Sequence, residues 1–168
     1  MQNFIFGCFI LMSLSFLAGC SYEKTFEAKT VVGKFSMEIP DYLNKCSDLS
    51  EEAIFQYKKE YRSFYVIVLE DELRSMELKQ YATGEVSKLA TLLSDSATLR
   101  PTKVNLNGSE GFQYVITGKL DVKFVHYIST FVESAKGRYQ IVCWTLDEKK
   151  STHLEDFNYI INSFKELP

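Results

Sequence analysis

Residues 63–70 read SFYVIVLE. On a strand, Phe64, Val66 and Val68 point to one face and Tyr65, Ile67 and Leu69 to the other, because successive side chains alternate. Both faces are apolar. The segment is therefore predicted to run through the middle of a sheet that is covered on both sides. A layered domain follows, and the flanking sequence should supply two covers.

Upstream, AIFQYKKE (residues 53–60) reads as a neighbouring strand, joined to the first through a polar turn at Glu60-Tyr61-Arg62. Before it, VVGKFSMEIP (31–40) reads as one strand that Pro40 ends. Downstream the period changes. From Ser75 to Ser94, Leu78, Ala82, Val86, Leu89 and Leu93 recur every three or four residues, which predicts an amphipathic helix that Gly84 weakens only slightly.

Four strands come next. Asn107-Gly108 suits a two-residue turn, and breaks at Gly118–Asp121 and Lys136-Gly137 separate the rest, giving an antiparallel meander that starts near Pro101. The sequence Thr152-His153-Leu154-Glu155 has the form of a capping box, and Leu154, Phe157, Ile161 and Phe164 give a second helix its buried stripe. The expected fold class is α+β: an α/β/α sandwich with a mostly antiparallel sheet of about seven strands and a helix on each face.

The amino-terminal region has another character. Phe4 to Ala18 carries no charge and is rich in Phe, Ile, Leu and Met, but it is short of the roughly 20 residues that span a bilayer. It fits the apolar core of a signal peptide. Leu17-Ala18-Gly19-Cys20 resembles the bacterial lipobox, in which the cysteine takes a diacylglycerol and becomes the first mature residue. The absence of Lys or Arg in Met1-Gln2-Asn3 departs from that pattern, and an uncleaved anchor or a buried helix are the alternatives. The expected organisation is a signal peptide over 1–19, lipidated Cys20 with a polar tether over 20–30, and one globular domain over 31–168. Ser21 after the cysteine would imply outer-membrane sorting in enteric bacteria.

Without residues 1–19 the chain keeps 149 residues, nine Phe, ten Tyr and one Trp, enough for one aromatic, strand-rich core. The net charge of −3, with Lys and Glu interleaved, gives no footprint for nucleic acid. Two further cysteines, Cys46 and Cys143, lie where a disulfide is permitted outside the inner membrane. Their pairing is open, and a buried free Cys143 with a partly exposed Cys46 is the favoured reading.

Chemistry is sparsely signalled. Of the two histidines, His126 alternates with Phe124 and Ile128 in a strand and reads as a packed residue, while His153 in the first helical turn reads as exposed. No paired-histidine spacing points to zinc. Glu70-Asp71-Glu72 lacks the alternating spacing of calcium loops and reads as solvated punctuation. Gly108-Ser109-Glu110-Gly111 is one residue short of a nucleophile elbow and sits at a hairpin turn. Tyr57 and Tyr61 are candidates for a partner surface. No catalytic, cofactor or metal residues are expected.

Several segments, in their order and spacing, resemble the PsbP-like fold group: GKFSMEIP, YVIVLEDE, NLNGSEGFQYVITG, YISTFVESAKGRYQIVCWT and FNYIINSFKEL, together spanning about residues 31–166. The resemblance implies a PsbP-like α/β/α domain in the company of lumenal photosystem assembly proteins, bacterial lipoproteins and chaperones for secreted effectors. It brings no shared catalytic residues. The expectation is a non-enzymatic accessory or binding module of the cell envelope, held to a membrane by lipid on Cys20 and bound to a protein partner, without a cofactor. A small envelope hydrolase or metal-dependent enzyme, and an envelope chaperone for apolar segments, are the alternatives.

Overall fold

The computed structural model describes residues 24–72 and 75–168. Cys20 and the apolar run before it lie outside the described residues. The chain forms β1 (Phe26–Val31), β2 (Phe35–Pro40), β3 (Asn44–Lys45), β4 (Ala53–Lys59) and β5 (Phe64–Asp71), then α1 (Leu78–Thr91). There follow β6 (Ser94–Thr98), β7 (Thr102–Leu106), β8 (Ser109–Leu120), β9 (Lys123–Glu133) and β10 (Arg138–Leu146), then α2 (Lys150–Asn162) and β11 (Lys165–Glu166). Neither of these helices is long and apolar enough to cross a membrane.

Among the described residues the main sheet has eight strands in the order β3-β4-β5-β10-β9-β8, with β6 and β7 sharing the outer edge of β8. Every pairing in it is antiparallel. β5 is central, as its two apolar faces require. Phe64, Val66 and Val68 join Ile141 and Cys143 of β10 in one core, closed by Phe157, Ile160 and Ile161 of α2. Ile67 joins Val142, Tyr114, Ile116 and Phe131 in a second core on the opposite face, closed by Ala82 and Val86 of α1. One helix per face gives the α/β/α sandwich.

Several local expectations are corrected. VVGKFSMEIP is not one strand: Val31 ends β1, a turn with Gly33 at φ +72° follows, and Phe35 starts β2. β1 reaches back to Phe26, so residues 26–30, read as part of a tether, are hydrogen-bonded strand. With β11 these strands form a separate three-stranded sheet. Phe35, Met37 and Ile39 face the α2-side core, so this small sheet shares the cover of that face with α2.

The first helix ends at Thr91 rather than Ser94. Asp95 takes φ +51° and Ser94–Thr98 pairs with β8 instead, in a stretch of Ser, Asp and Thr with little helical preference. Gly118 does not break β8. A Cβ there would stand 2.8 Å from the Leu93 side chain, so the glycine admits a close approach inside the strand. The break falls later, at Asp121 with φ +55°.

The second helix starts at Lys150, after a tight turn at Asp147–Lys149, and no side chain of the described residues caps it. Thr152 therefore sits inside the first turn and makes no capping box. The buried face is His153, Asp156, Phe157, Ile160 and Ile161, while Leu154 is exposed. The Asn107-Gly108 turn is as expected: both residues have positive φ, as a two-residue hairpin of this hand requires. Asn107 also donates from Nδ2 to the Phe164 carbonyl at 2.7 Å, tying the hairpin to the end of α2.

Candidate binding surface

On the α1 face, three strands place three aromatic side chains in one row. Trp144 of β10 is the register partner of Tyr65 on β5 and of Tyr127 on β9. The rings stack: Tyr65–Trp144 at 5.1 Å and 14° between planes, Tyr127–Trp144 at 5.8 Å and 21°. Offset stacking of this kind stabilises the row beyond the area it buries.

Part of the row stays uncovered. α1 packs on β8 and β9, and Tyr65 and Trp144 stay half-buried while Tyr127 is buried. Tyr65, Trp144, Val125 and Leu146 line a concavity of about 300 Å³, walled by Leu120, Val122 and Lys123 of the β8–β9 hairpin and by Ser63. Such a surface offers flat apolar contact with few polar demands, which suits a peptide or protein side chain.

The other sequence candidates are dispersed. His126 is buried on β9, on the α2 face, opposite Thr145 of β10. Among the described residues neither its Nδ1 nor the Thr145 hydroxyl finds a hydrogen-bond partner, Asp147 stands 3.9 Å from Nδ1, and burial lowers the imidazole pKa. His153 is buried rather than exposed. Its Nε2 lies 2.9 Å from the Arg62 carbonyl, its ring is edge-on to Phe64, and burial lowers its pKa as well.

Glu70 pairs with Lys34, and the Glu70–Glu72 run borders an open hollow with Lys136. Thr145, beside His126, lies six positions along β10 from Tyr139, beside Glu70, a separation of about 20 Å. Histidine and acidic run therefore do not share a site. Among the described residues no three His, Cys, Asp or Glu side chains converge as metal ligands.

Tyr57 is a core residue, and Tyr61 is exposed between Lys59 and Arg62. Among the described residues, Cys46 and Cys143 are both free, so the bridge between them is not formed. Cys143 is fully buried in the α2-side core. Ser109 opens β8 and keeps its place in a hairpin.

Two features were not anticipated from sequence. Asp156 is buried on α2, where it accepts from the Tyr42 hydroxyl at 2.5 Å and pairs with Lys24. Arg62 lies over the Tyr42 ring at 4.3 Å. A larger polar cleft of about 810 Å³ lies between the start of α1 and the β9–β10 hairpin. Arg138 at its base is buried, donating to Glu133 at 2.5 Å and to the Met76 carbonyl. Its rim mixes Lys103 with Glu77 and Glu110.

The sequence matches no family model and no curated protein. Its fold is that of several solved structures. Cyanobacterial PsbP (CyanoP) from Synechocystis sp. PCC 6803 superposes with a TM-score of 0.64 at 10% identity, over 89% of this chain and 96% of that one. LpqN of Mycobacterium tuberculosis, described as involved in cell envelope biogenesis, gives 0.64 at 14% identity, over 87% and 91%. A Pseudomonas aeruginosa protein of unknown function gives 0.57 at 11%, over 85% and 98%. The PsbP-like fold expected from the order of segments is the fold observed.

Proposed function

We propose that this chain is a non-enzymatic accessory module of the bacterial cell envelope, tethered through lipid on Cys20, whose Tyr65–Trp144–Tyr127 row receives a protein partner. The observation that carries the reading is the stacked row left open beside α1. Aromatic side chains with part of their surface free are the common anchors of interface cores. Dispersal of the histidines and the acidic run supports binding over hydrolysis. The Leu17-Ala18-Gly19-Cys20 sequence supports the tether, and the shared fold of LpqN, with its described role in envelope biogenesis, supports the location.

The test is in-cell crosslinking and affinity capture of the tagged full chain, compared with Cys20→Ser and with Tyr65→Ala/Trp144→Ala. One stoichiometric partner, lost from both variants, is the expected result. Capture that is indifferent to the aromatic pair would refute the site. Turnover of a substrate abolished by a point substitution would refute the non-enzymatic reading.

The concavity also favours a second reading, a chaperone for apolar client segments, because the chain presents an exposed apolar hollow on its sheet. Many substoichiometric clients in the same experiment, in place of one partner, would select it.

A further inference from the structure

The β8–β9 hairpin ends in an unusual tip. Leu120, Val122 and Phe124 are 44%, 88% and 53% exposed, and they alternate with Asp121 and Lys123. Lys119 lies over the Phe124 ring at 4.8 Å and pairs with Asp95. The described chain thus holds three large apolar side chains out on a hairpin and leaves much of their surface uncovered.

Their place in the fold suggests what covers them. Tyr65 of β5 faces Trp144 of β10, and Leu146 of β10 faces Val125 of β9. The start of β5, the end of β10, the start of β9 and the hairpin tip therefore lie at one end of the sheet. Strand spacing places that tip about 10–14 Å across from β5.

The amino terminus of the described chain comes to the same end. Lys24 pairs with Asp156, Asp156 binds Tyr42, and Tyr42 packs on Phe64 and Arg62 at the start of β5. Only Ser21, Tyr22 and Glu23 separate Lys24 from Cys20. Even fully extended, those four steps reach about 14 Å. A lipid on Cys20 would hold this end, and no other, against the headgroups.

We infer that the Leu120–Phe124 tip is a second membrane contact, inserting into the bilayer surface beside the anchored amino terminus. The inference rests on the proposed lipidation of Cys20. Acidic and basic residues alternate around the tip, so charge gives little net attraction and the contact is apolar in kind. The anchor makes insertion intramolecular, so a small apolar area suffices. One lipid anchor and one hairpin fix the tilt of the domain, which a lipid on a flexible tether would not. The Tyr65–Trp144 concavity, walled by the same hairpin, then opens close to the membrane plane.

The test places single tryptophans at the two ends of the molecule: Phe124→Trp at the tip, and Val32→Trp in the β1–β2 turn, 90% exposed at the far end. The full chain, purified from a lipidating bacterium, is reconstituted into phosphatidylcholine vesicles with and without bromine on the acyl chains. The wild type, with Trp144 alone, is the baseline. Added emission from position 124 should be blue-shifted and quenched by the brominated lipid, independently of salt, and emission from position 32 should not.

Quenching at neither position, or equally at both, overturns the inference. Mass spectrometry of the Cys20 peptide reports on the anchor separately. With Cys20 lipidated and position 124 unquenched, the tether stands and the docking face falls. With Cys20 unmodified, the tether reading falls. Quenching of position 124 on added vesicles then still sustains the tip as a lipid contact, and its absence overturns it.

Discussion

The same substitution at two glycines should move stability in opposite directions. Gly111 on β8 is the register partner of Val132 on β9. A Cβ at Gly111 would stand 2.2 Å from the Phe131 carbonyl oxygen and 2.8 Å from the Val132 side chain. Gly111→Ala therefore has to push two paired strands apart by about 1 Å to reach ordinary contact. Overpacking of this order costs about 1–3 kcal/mol, and a stretched ladder hydrogen bond adds about 1 kcal/mol. The expected loss is about 2–4 kcal/mol.

Gly84 is the opposite case. It lies inside α1, and among the described residues a methyl group added there would meet nothing within 4 Å beyond its own stretch of helix. Gly84→Ala should stabilise by about 1 kcal/mol through helix propensity alone. Urea titration followed by far-ultraviolet circular dichroism measures both. A Gly111→Ala protein as stable as wild type would refute the β8–β9 register, and with it the placement of the hairpin tip.

Three further outcomes follow from the cores and the titrating groups. Phe157→Ala, in a fully buried position against Phe64 at 4.5 Å, should cost about 3–5 kcal/mol in the same titration. Burial lowers the pKa of both His126 and His153 below the ordinary 6.5. The unfolded chain therefore binds protons there before the native state does. Stability is fully present above about pH 6.5 and falls as pH drops below it, and a His126→Gln/His153→Gln protein should show a shallower decline in urea midpoint between about pH 7.5 and 5.5. Burial pushes the Cys143 thiol far above its ordinary range. A maleimide should modify Cys46 in the native protein and reach Cys143 only after unfolding.

Alternation made the centre of the sheet legible. SFYVIVLE, YQIVCWTL and HYISTFV each carry apolar side chains on two faces, and the structure buries each on two faces. Asn107-Gly108 and the α1 stripe were equally local signals. What escaped was whatever a neighbour decides. Val31–Pro40 looked like one strand because Gly33 and Lys34 interrupt it only briefly, yet Gly33 turns the chain back on itself. His153 looked exposed because Thr152-x-x-Glu155 imitates a helix start. The preceding turn at Asp147–Lys149 advances the true start and rotates His153 onto Phe64.

The binding row was hidden for a related reason. Tyr65, Tyr127 and Trp144 stand on three different strands and meet only through register, which no single segment encodes. The open side of the row depends on where α1 sits, and that is settled by packing of Ala82 and Val86 on β8 and β9.

The most direct measurement of the central claim is a photo-crosslinking amino acid placed at Tyr65 in living cells, compared with the same group at Tyr159 on the exposed side of α2. A discrete adduct from position 65, absent from position 159, is the predicted result. No adduct from position 65, or the same adduct from both positions, would contradict a partner site at the aromatic row.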